Sequence, residues 1–163
     1  MRFISIIFLM FLVGSNIECS AQITSSNQIK SSKPGIITGA DQTERYLSYL
    51  KGKKIGLVAN QSSVIGSENC VDSLLSLGIN IIKVFGPEHG FRGNASNGAV
   101  VNNETDAKTG IPIISLYGKN QKPTKEQLAD VDLMVFDIQD VGCRYYTNIN
   151  TLEYVMEACA ENN

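Results

Sequence analysis

Apolar runs and amphipathic segments alternate along residues 39–163 at the spacing expected of an α/β domain. Four short runs are apolar at nearly every position, which is typical of strands covered on both faces. They span residues 54–59, 79–85, 111–117 and 131–138. Four other segments, with apolar positions three or four residues apart, predict helices. They span residues 41–51, 67 or 68 to 77, 124–129 and 151–160. The alternation predicts a Rossmann-like α/β fold with a doubly wound parallel sheet.

A different pattern opens the chain. After a basic second residue, residues 3–14 (FISIIFLMFLVG) are apolar throughout. This run is too short for an ordinary membrane-spanning helix and has the length of a signal-peptide core. Small residues at Cys19 and Ala21 predict cleavage before Gln22. The alternative is a lipoprotein anchored through Cys19, although Glu18 lies where such a site has a small residue.

We therefore divide the chain into a signal peptide over residues 1–21, a polar linker over 22–38 and a Rossmann-like α/β domain over 39–163. Export would place the mature protein in the periplasm or outside the cell, with no transmembrane span after removal of the signal. The last predicted helix should lead into another strand, so we expect the domain to be truncated at its C-terminus and to belong to a two-domain protein. The pattern gives no indication of an oligomeric state.

Charge and motifs exclude several functions. The formal net charge is -2, so we expect no basic surface for nucleic acid. Neither the glycine fingerprint of dinucleotide-binding folds nor a P-loop is present, and no esterase nucleophile elbow occurs. A metal site would have to be assembled from one His and scattered carboxylates without a typical ligand spacing. We expect neither a metal nor another cofactor.

The candidate chemistry lies in three loops that follow predicted strands, where open parallel sheets bind their ligands. The first loop, NQSS, begins with Asn60, a candidate substrate-binding residue. The second loop, GPEHGFRG, contains Glu88, His89 and Arg92. Glu88 can act as a general acid, base or nucleophile if its surroundings tune its pKa, with His89 as a catalytic neighbour. Arg92 is a candidate to bind substrate, and the alternative is a solvated loop in which it pairs with Glu88.

The third loop, DIQDVGCRYYT, places one carboxylate at the end of a strand and another just beyond it. Asp137 and Asp140 are therefore candidate catalytic residues. The alternative is that Asp137 caps a backbone N–H in the turn while Asp140 pairs with Arg144. Arg144 is a candidate to bind a ligand carboxylate through two hydrogen bonds. Tyr146 is a candidate to stack on a sugar face, or else packs within the domain.

Three motifs in this order resemble one bacterial family. They are GPEHGFRG (86–93), TGIPIISLYG (109–118) and VFDIQDVGCRYYT (135–147). The family was long known as a domain of unknown function and is associated with exo-β-N-acetylmuramidases of the NamZ type. The resemblance covers about residues 39–163. Cys143 stands where many relatives carry Ala, and members of the family are considerably longer than this chain.

The resemblance implies a Rossmann-like domain followed by a C-terminal domain, with the active site between them. It implies a glycoside hydrolase that releases N-acetylmuramic acid from the non-reducing ends of peptidoglycan fragments, so that muramyl saccharides would be the partners. Glu88 and His89 match the first motif, and Asp137, Asp140, Arg144 and Tyr146 match the last. Residues 22–163 alone are expected to be inactive. A non-catalytic module that binds envelope sugars or peptides is the alternative.

Overall fold

The computed structural model describes residues 35–93 and 102–162. The predicted signal peptide and nearly all of the predicted linker lie outside the described residues. In chain order the elements are α1 (Thr43–Leu50), β1 (Ile55–Ala59), β2 (Val64–Ile65), β3 (Glu68–Asn69), α2 (Cys70–Ser76), β4 (Ile81–Gly86), β5 (Glu104–Thr105), β6 (Pro112–Ser115), α3 (Lys125–Leu128), β7 (Leu133–Asp137) and α4 (Asn148–Glu161).

Five strands form one sheet in the order β5-β6-β4-β1-β7. The strands β6, β4, β1 and β7 are parallel, and β5 runs antiparallel to β6 at the edge. Numbered along the chain, the parallel strands have the order 3-2-1-4, which is that of a Rossmann-like α/β fold. The predicted fold class is confirmed. The chain changes direction of winding between β1 and β7, so the crevice beyond the ends of these two strands is where such a sheet binds ligands.

Helices cover both faces of the sheet, which explains why β1 is buried at every residue. On one face, Leu57 packs with Val71 and Leu74 of α2. On the other face, Val58 packs with Phe85 and Val155 of α4. The alternation of neighbouring β1 residues between the two clusters follows from the two-residue period of a strand. The apolar runs in the sequence are therefore explained by a doubly covered sheet.

Two short pairings were not predicted, and one of them moves a helix start. The strands β2 and β3 form an antiparallel hairpin, so the backbone at Glu68 is extended where a helix was expected to begin. The helix α2 instead begins at Cys70, where the Asn69 side chain accepts a hydrogen bond from the Val71 N–H at 3.0 Å. The strand β5 lies within the long loop after β4. Strands of two residues leave no periodicity in a sequence, because one alternation is not a pattern.

No helix in residues 35–93 or 102–162 has the length and apolar character needed to cross a membrane.

Candidate active site

The loop after β4 turns sharply at the C-terminal edge of the sheet. The Gly90 N–H donates to the Pro87 carbonyl at 3.0 Å, which closes a turn around Glu88 and His89. His89 has a φ of 71°, a left-handed conformation that is uncommon outside glycine. Backbone strain of this kind is concentrated at functional sites, where it orients a side chain. The turn therefore presents Glu88 and His89 together beyond the strand end.

The glycine that ends β4 allows this loop to fold back closely. A Cβ atom on Gly86 would lie 3.1 Å from the backbone nitrogen of Phe91, closer than such atoms normally approach. Phe91 itself is only 1% exposed and belongs to the core cluster below α2. The loop is thus anchored at its far end by a buried aromatic ring, while Glu88 and His89 remain only partly buried.

A hydrogen-bond network joins the loops after β1 and β7 across the switch point. Asn60 is 8% exposed, and its Oδ1 accepts from the Ser62 N–H at 2.8 Å and from the Ser62 hydroxyl at 2.7 Å. The same hydroxyl oxygen accepts from the Gln139 N–H at 3.2 Å. Reversing the Asn60 amide would place its NH2 group against two donors, so the network fixes its orientation. Nδ2 is left as the group that Asn60 offers to a ligand.

These loops enclose an open cleft of about 550 Å³, which we call the polar cleft. Most of the lining side chains carry an amide, a hydroxyl group or a ring, and they come mainly from the loops after β1, β4 and β7. The lining residues are Asn60, Gln61, Ser62, Glu88, His89, Gln139, Val141, Tyr145, Tyr146, Thr147 and Asn148. Of the predicted site residues, the structure therefore brings together Asn60, Glu88, His89 and Tyr146. Tyr145 and Tyr146 are 94% and 55% exposed, so their rings are accessible to a sugar face.

Glu88 is the one carboxylate among the described residues that line the polar cleft. The Tyr117 hydroxyl donates a hydrogen bond to Glu88 Oε1 at 3.1 Å. This bond raises the pKa of Tyr117, because the neighbouring carboxylate stabilises the protonated hydroxyl. Sequence reasoning missed Tyr117. Its signal was positional, since Tyr117 and Glu88 each lie two residues beyond the ends of β6 and β4.

The prediction that Asp137 or Asp140 lies with Glu88 is not supported by the structure. Asp137 follows Leu133 and Val135 on the α2 face of the sheet, where its carboxylate accepts a hydrogen bond from the Cys70 thiol. Burial raises the pKa of Asp137, and burial together with Asp137 raises the pKa of Cys70 to about 12. Neither aspartate is among the described residues lining the polar cleft.

Asp140 has a local role in the turn after β7. Its Oδ1 accepts a hydrogen bond from the Gly142 N–H at 2.7 Å, the geometry of an Asx turn. The alternative role for Asp140, an ion pair with Arg144, is not among the ion pairs of the described residues. Arg144 is exposed and lies outside the polar cleft lining. Its role in binding substrate stays a prediction.

Arg92 is held by two carboxylates away from the polar cleft. Its Nε and Nη2 donate to Asp106 at 2.6 and 2.7 Å, and its Nη1 and Nη2 donate to Asp72 at 3.2 and 3.1 Å. These bonds hold the pKa of Asp106 at about 2. Asp106 is 4% exposed, so this is a largely buried ionic cluster that joins α2 to the segment before β6. Among the described residues Arg92 thus pairs with carboxylates of the scaffold and does not line the polar cleft, and its role in binding substrate stays a prediction.

The fold is that of a Rossmann-like α/β protein, and a polar cleft lies at the switch point of its parallel sheet, with Glu88 as the one carboxylate among the described lining residues. The family described as "Exo-beta-N-acetylmuramidase NamZ, N-terminal" matches residues 55–163, and the chain belongs to this family. The resemblance inferred from the three motifs is confirmed.

Relatives agree with this assignment. The peptidoglycan beta-N-acetylmuramidase NamZ of Bacillus subtilis (strain 168) is 46% identical over 156 residues, which are 94% of this chain and 37% of that protein. Two crystal structures of DUF1343 family proteins from Bacteroides fragilis NCTC 9343 are also similar. One has a TM-score of 0.71 at 41% identity, covering 80% of this chain and 33% of the other. The second has a TM-score of 0.66 at 39% identity, covering 78% and 32%. The chain thus spans about a third of the length of these relatives.

Proposed function

We propose that the protein is a glycoside hydrolase that releases N-acetylmuramic acid from the non-reducing ends of peptidoglycan fragments during cell-wall turnover. The observation that carries this proposal is Glu88, an acid placed in the polar cleft at the switch point of a domain of the NamZ family. The 46% identical relative is named a peptidoglycan beta-N-acetylmuramidase, which supports the same substrate class here.

In the proposed reaction, Glu88 is the general acid. A proton from its carboxyl group passes to the glycosidic oxygen while the bond from that oxygen to the anomeric carbon breaks. The departing sugar leaves as an alcohol. Water then supplies the hydroxyl group that the released muramic acid gains, and the other proton of that water restores the Glu88 carboxyl group, directly or through the solvent. Glycosidases usually need a second carboxylate for this last step. Asp137 and Asp140 do not provide it in the polar cleft as described.

Substrate recognition would use neutral groups and aromatic rings. The lactyl carboxylate of muramic acid requires N–H or O–H donors. Among the described residues, the polar cleft offers the fixed Nδ2 of Asn60 and the side chains of Gln139 and Asn148, and its lining includes neither Lys nor Arg. Tyr145 and Tyr146 are placed to stack on the apolar face of a sugar ring.

The test is hydrolysis of a chromogenic β-N-acetylmuramide by the complete gene product. We expect colour release together with free N-acetylmuramic acid, and little release from the corresponding α-anomer. A rate no higher than that of the heat-denatured protein would contradict the proposal.

A second candidate is a non-catalytic module that binds envelope sugars. The single carboxylate of the described cleft favours it, because binding needs no acid pair. The hydrolysis assay and a calorimetric titration with the same muramide together separate the two functions. A binding module would bind the muramide in the titration without cleaving it, so intact ligand would be recovered afterwards.

The proposal includes action outside the cytoplasm. It is supported by the apolar run at residues 3–14 and by the small residues before Gln22, the features of a signal peptide. Expression of the gene with a C-terminal epitope and fractionation of the cells would test export. Radiolabelled palmitate attached through Cys19 would indicate the lipoprotein alternative instead.

A further inference from the structure

The hydrogen bond between Tyr117 and Glu88 joins two residues that lie just beyond the paired strands β4 and β6. The strands β4 and β6 pair in parallel with Gly86 opposite Ser115, and each of the two side chains comes two residues later. The Leu116 N–H donates to the Gly86 carbonyl at 2.8 Å, which extends the pairing beyond the last strand residues. Parallel pairing therefore places the two residues at matching positions beyond the ends of neighbouring strands.

Glu88 lies on the boundary between two hollows. One is the polar cleft, and the other is a smaller hollow of about 170 Å³ lined by Tyr117, Tyr154 and other residues near the start of α4. Tyr117 lines only the smaller one, so its hydroxyl reaches the carboxylate from that hollow and not from the polar cleft. Within residues 35–93 and 102–162, the hydrogen bonds to Glu88 involve Oε1 and leave Oε2 for a ligand.

We propose that Tyr117 is a positioning residue for Glu88, holding Oε1 so that Oε2 faces the scissile bond. A free glutamate side chain has three rotatable bonds, and proton transfer requires an oxygen within hydrogen-bond reach of the reacting atom. One fixed oxygen removes most of that freedom. Tyr117 acts through Glu88 and does not touch the sugar. This inference rests on the proposed function, because it assigns a role in the same reaction.

The central test is the variant Tyr117→Phe in the complete gene product, assayed with the chromogenic muramide. The ring is kept and only the hydroxyl is lost. We expect kcat to fall roughly tenfold, the usual worth of one hydrogen bond to a charged group, with KM little changed. Tyr49→Phe, on the exposed side of α1, is the matched control and should leave kinetics unchanged.

A double-variant cycle separates positioning from general structural damage. In a Glu88→Gln background, Tyr117→Phe should cause little further loss, because the residue through which it acts has lost its acid. Rates are compared at a temperature where circular dichroism shows every variant folded. An equal loss in both backgrounds, or a raised KM with unchanged kcat, would overturn the proposal.

Failure of this inference is distinguishable from failure of the proposed function. If the wild-type protein does not cleave the muramide, the function itself is wrong and the positioning role falls with it. If the wild type cleaves and Tyr117→Phe keeps the wild-type kcat, only the assignment of Tyr117 is wrong.

Discussion

Glu88 and Arg92 lie four residues apart in one loop, and the structure uses them in opposite ways. Glu88 receives one hydrogen bond from the described residues and lines the polar cleft. Arg92 is held by Asp72 and Asp106 in a largely buried cluster. Both are charged residues of one motif, and both were candidates for the active site. The difference suggests a rule: the number of partners that the fold supplies, more than motif membership, distinguishes the residue proposed to react from the residue held in the scaffold.

The largest expected effect is the loss of activity in Glu88→Gln. The amide has nearly the same shape and cannot deliver a proton, so we expect the rate of muramide hydrolysis to fall about 10²- to 10⁴-fold. The thermal midpoint should stay within the error of the wild-type value, because Glu88 is only partly buried and has one described partner. Turnover like that of the wild type would place the chemistry elsewhere.

The Arg92→Met variant should show the reverse pattern. Removing the guanidinium leaves the buried Asp106 carboxylate without a cation and leaves Asp72 with only the exposed Lys108. We expect this to cost about 3 kcal/mol of the free energy of unfolding. Lys108→Met is the matched control. Lys108 also pairs with Asp72, at 2.8 Å, but its side chain is 63% exposed, so its loss should cost less than about 1 kcal/mol. Urea unfolding measures both. Equal losses of unfolding free energy in the two variants would show that the ion pairs of Arg92 do not stabilise the fold more than the exposed pair of Lys108.

The same variant should change the response to acid. Arg92 lowers the pKa of Asp106 from 3.8 to about 2, so the folded state favours the ionised form. The stability gained this way is present above pH 3.8 and is lost as the pH falls towards 2. Without Arg92 this part of the acid dependence should disappear. When the free energy of unfolding is plotted against pH, the wild type and Arg92→Met should therefore converge at low pH. A constant difference in free energy across the pH range would contradict the assignment.

The smallest expected effect is in Asp137→Asn, which compares Glu88 with a carboxylate that packs on the α2 face of the sheet. Burial raises the pKa of Asp137 above 3.8, so its ionised form destabilises the folded state. This penalty is absent below pH 3.8 and is fully present once the pH exceeds the folded-state pKa. Asparagine should therefore raise the thermal midpoint slightly at pH 8 and not at pH 3, with activity unchanged. Loss of activity with an intact fold would restore Asp137 as a catalytic residue.

The sequence predicted the sheet well because a doubly covered strand leaves an apolar run. The four parallel strands and the helices α1 and α4 lie where periodicity placed them. The orientation of side chains at strand ends was not predictable in the same way. Asp137 ends β7 and Glu88 lies two residues beyond β4, and only the position of each relative to the last paired residue decides which way its side chain points. The partners of Arg92 come from α2 and from the segment before β6, both distant from Arg92 in sequence. No local sequence pattern therefore predicts them.

The most direct test of the difference between Glu88 and Arg92 is a crystal structure of the complete gene product with bound N-acetylmuramic acid. N-acetylmuramic acid is the product of the proposed hydrolysis, so the anomeric hydroxyl of the bound sugar should mark the position of the cleaved bond. We expect that hydroxyl within about 3 Å of Glu88 Oε2, with Tyr117 still bonded to Oε1 and Arg92 still bonded to Asp72 and Asp106. A sugar bound outside the polar cleft, or a lactyl carboxylate bound by Arg92, would contradict the account.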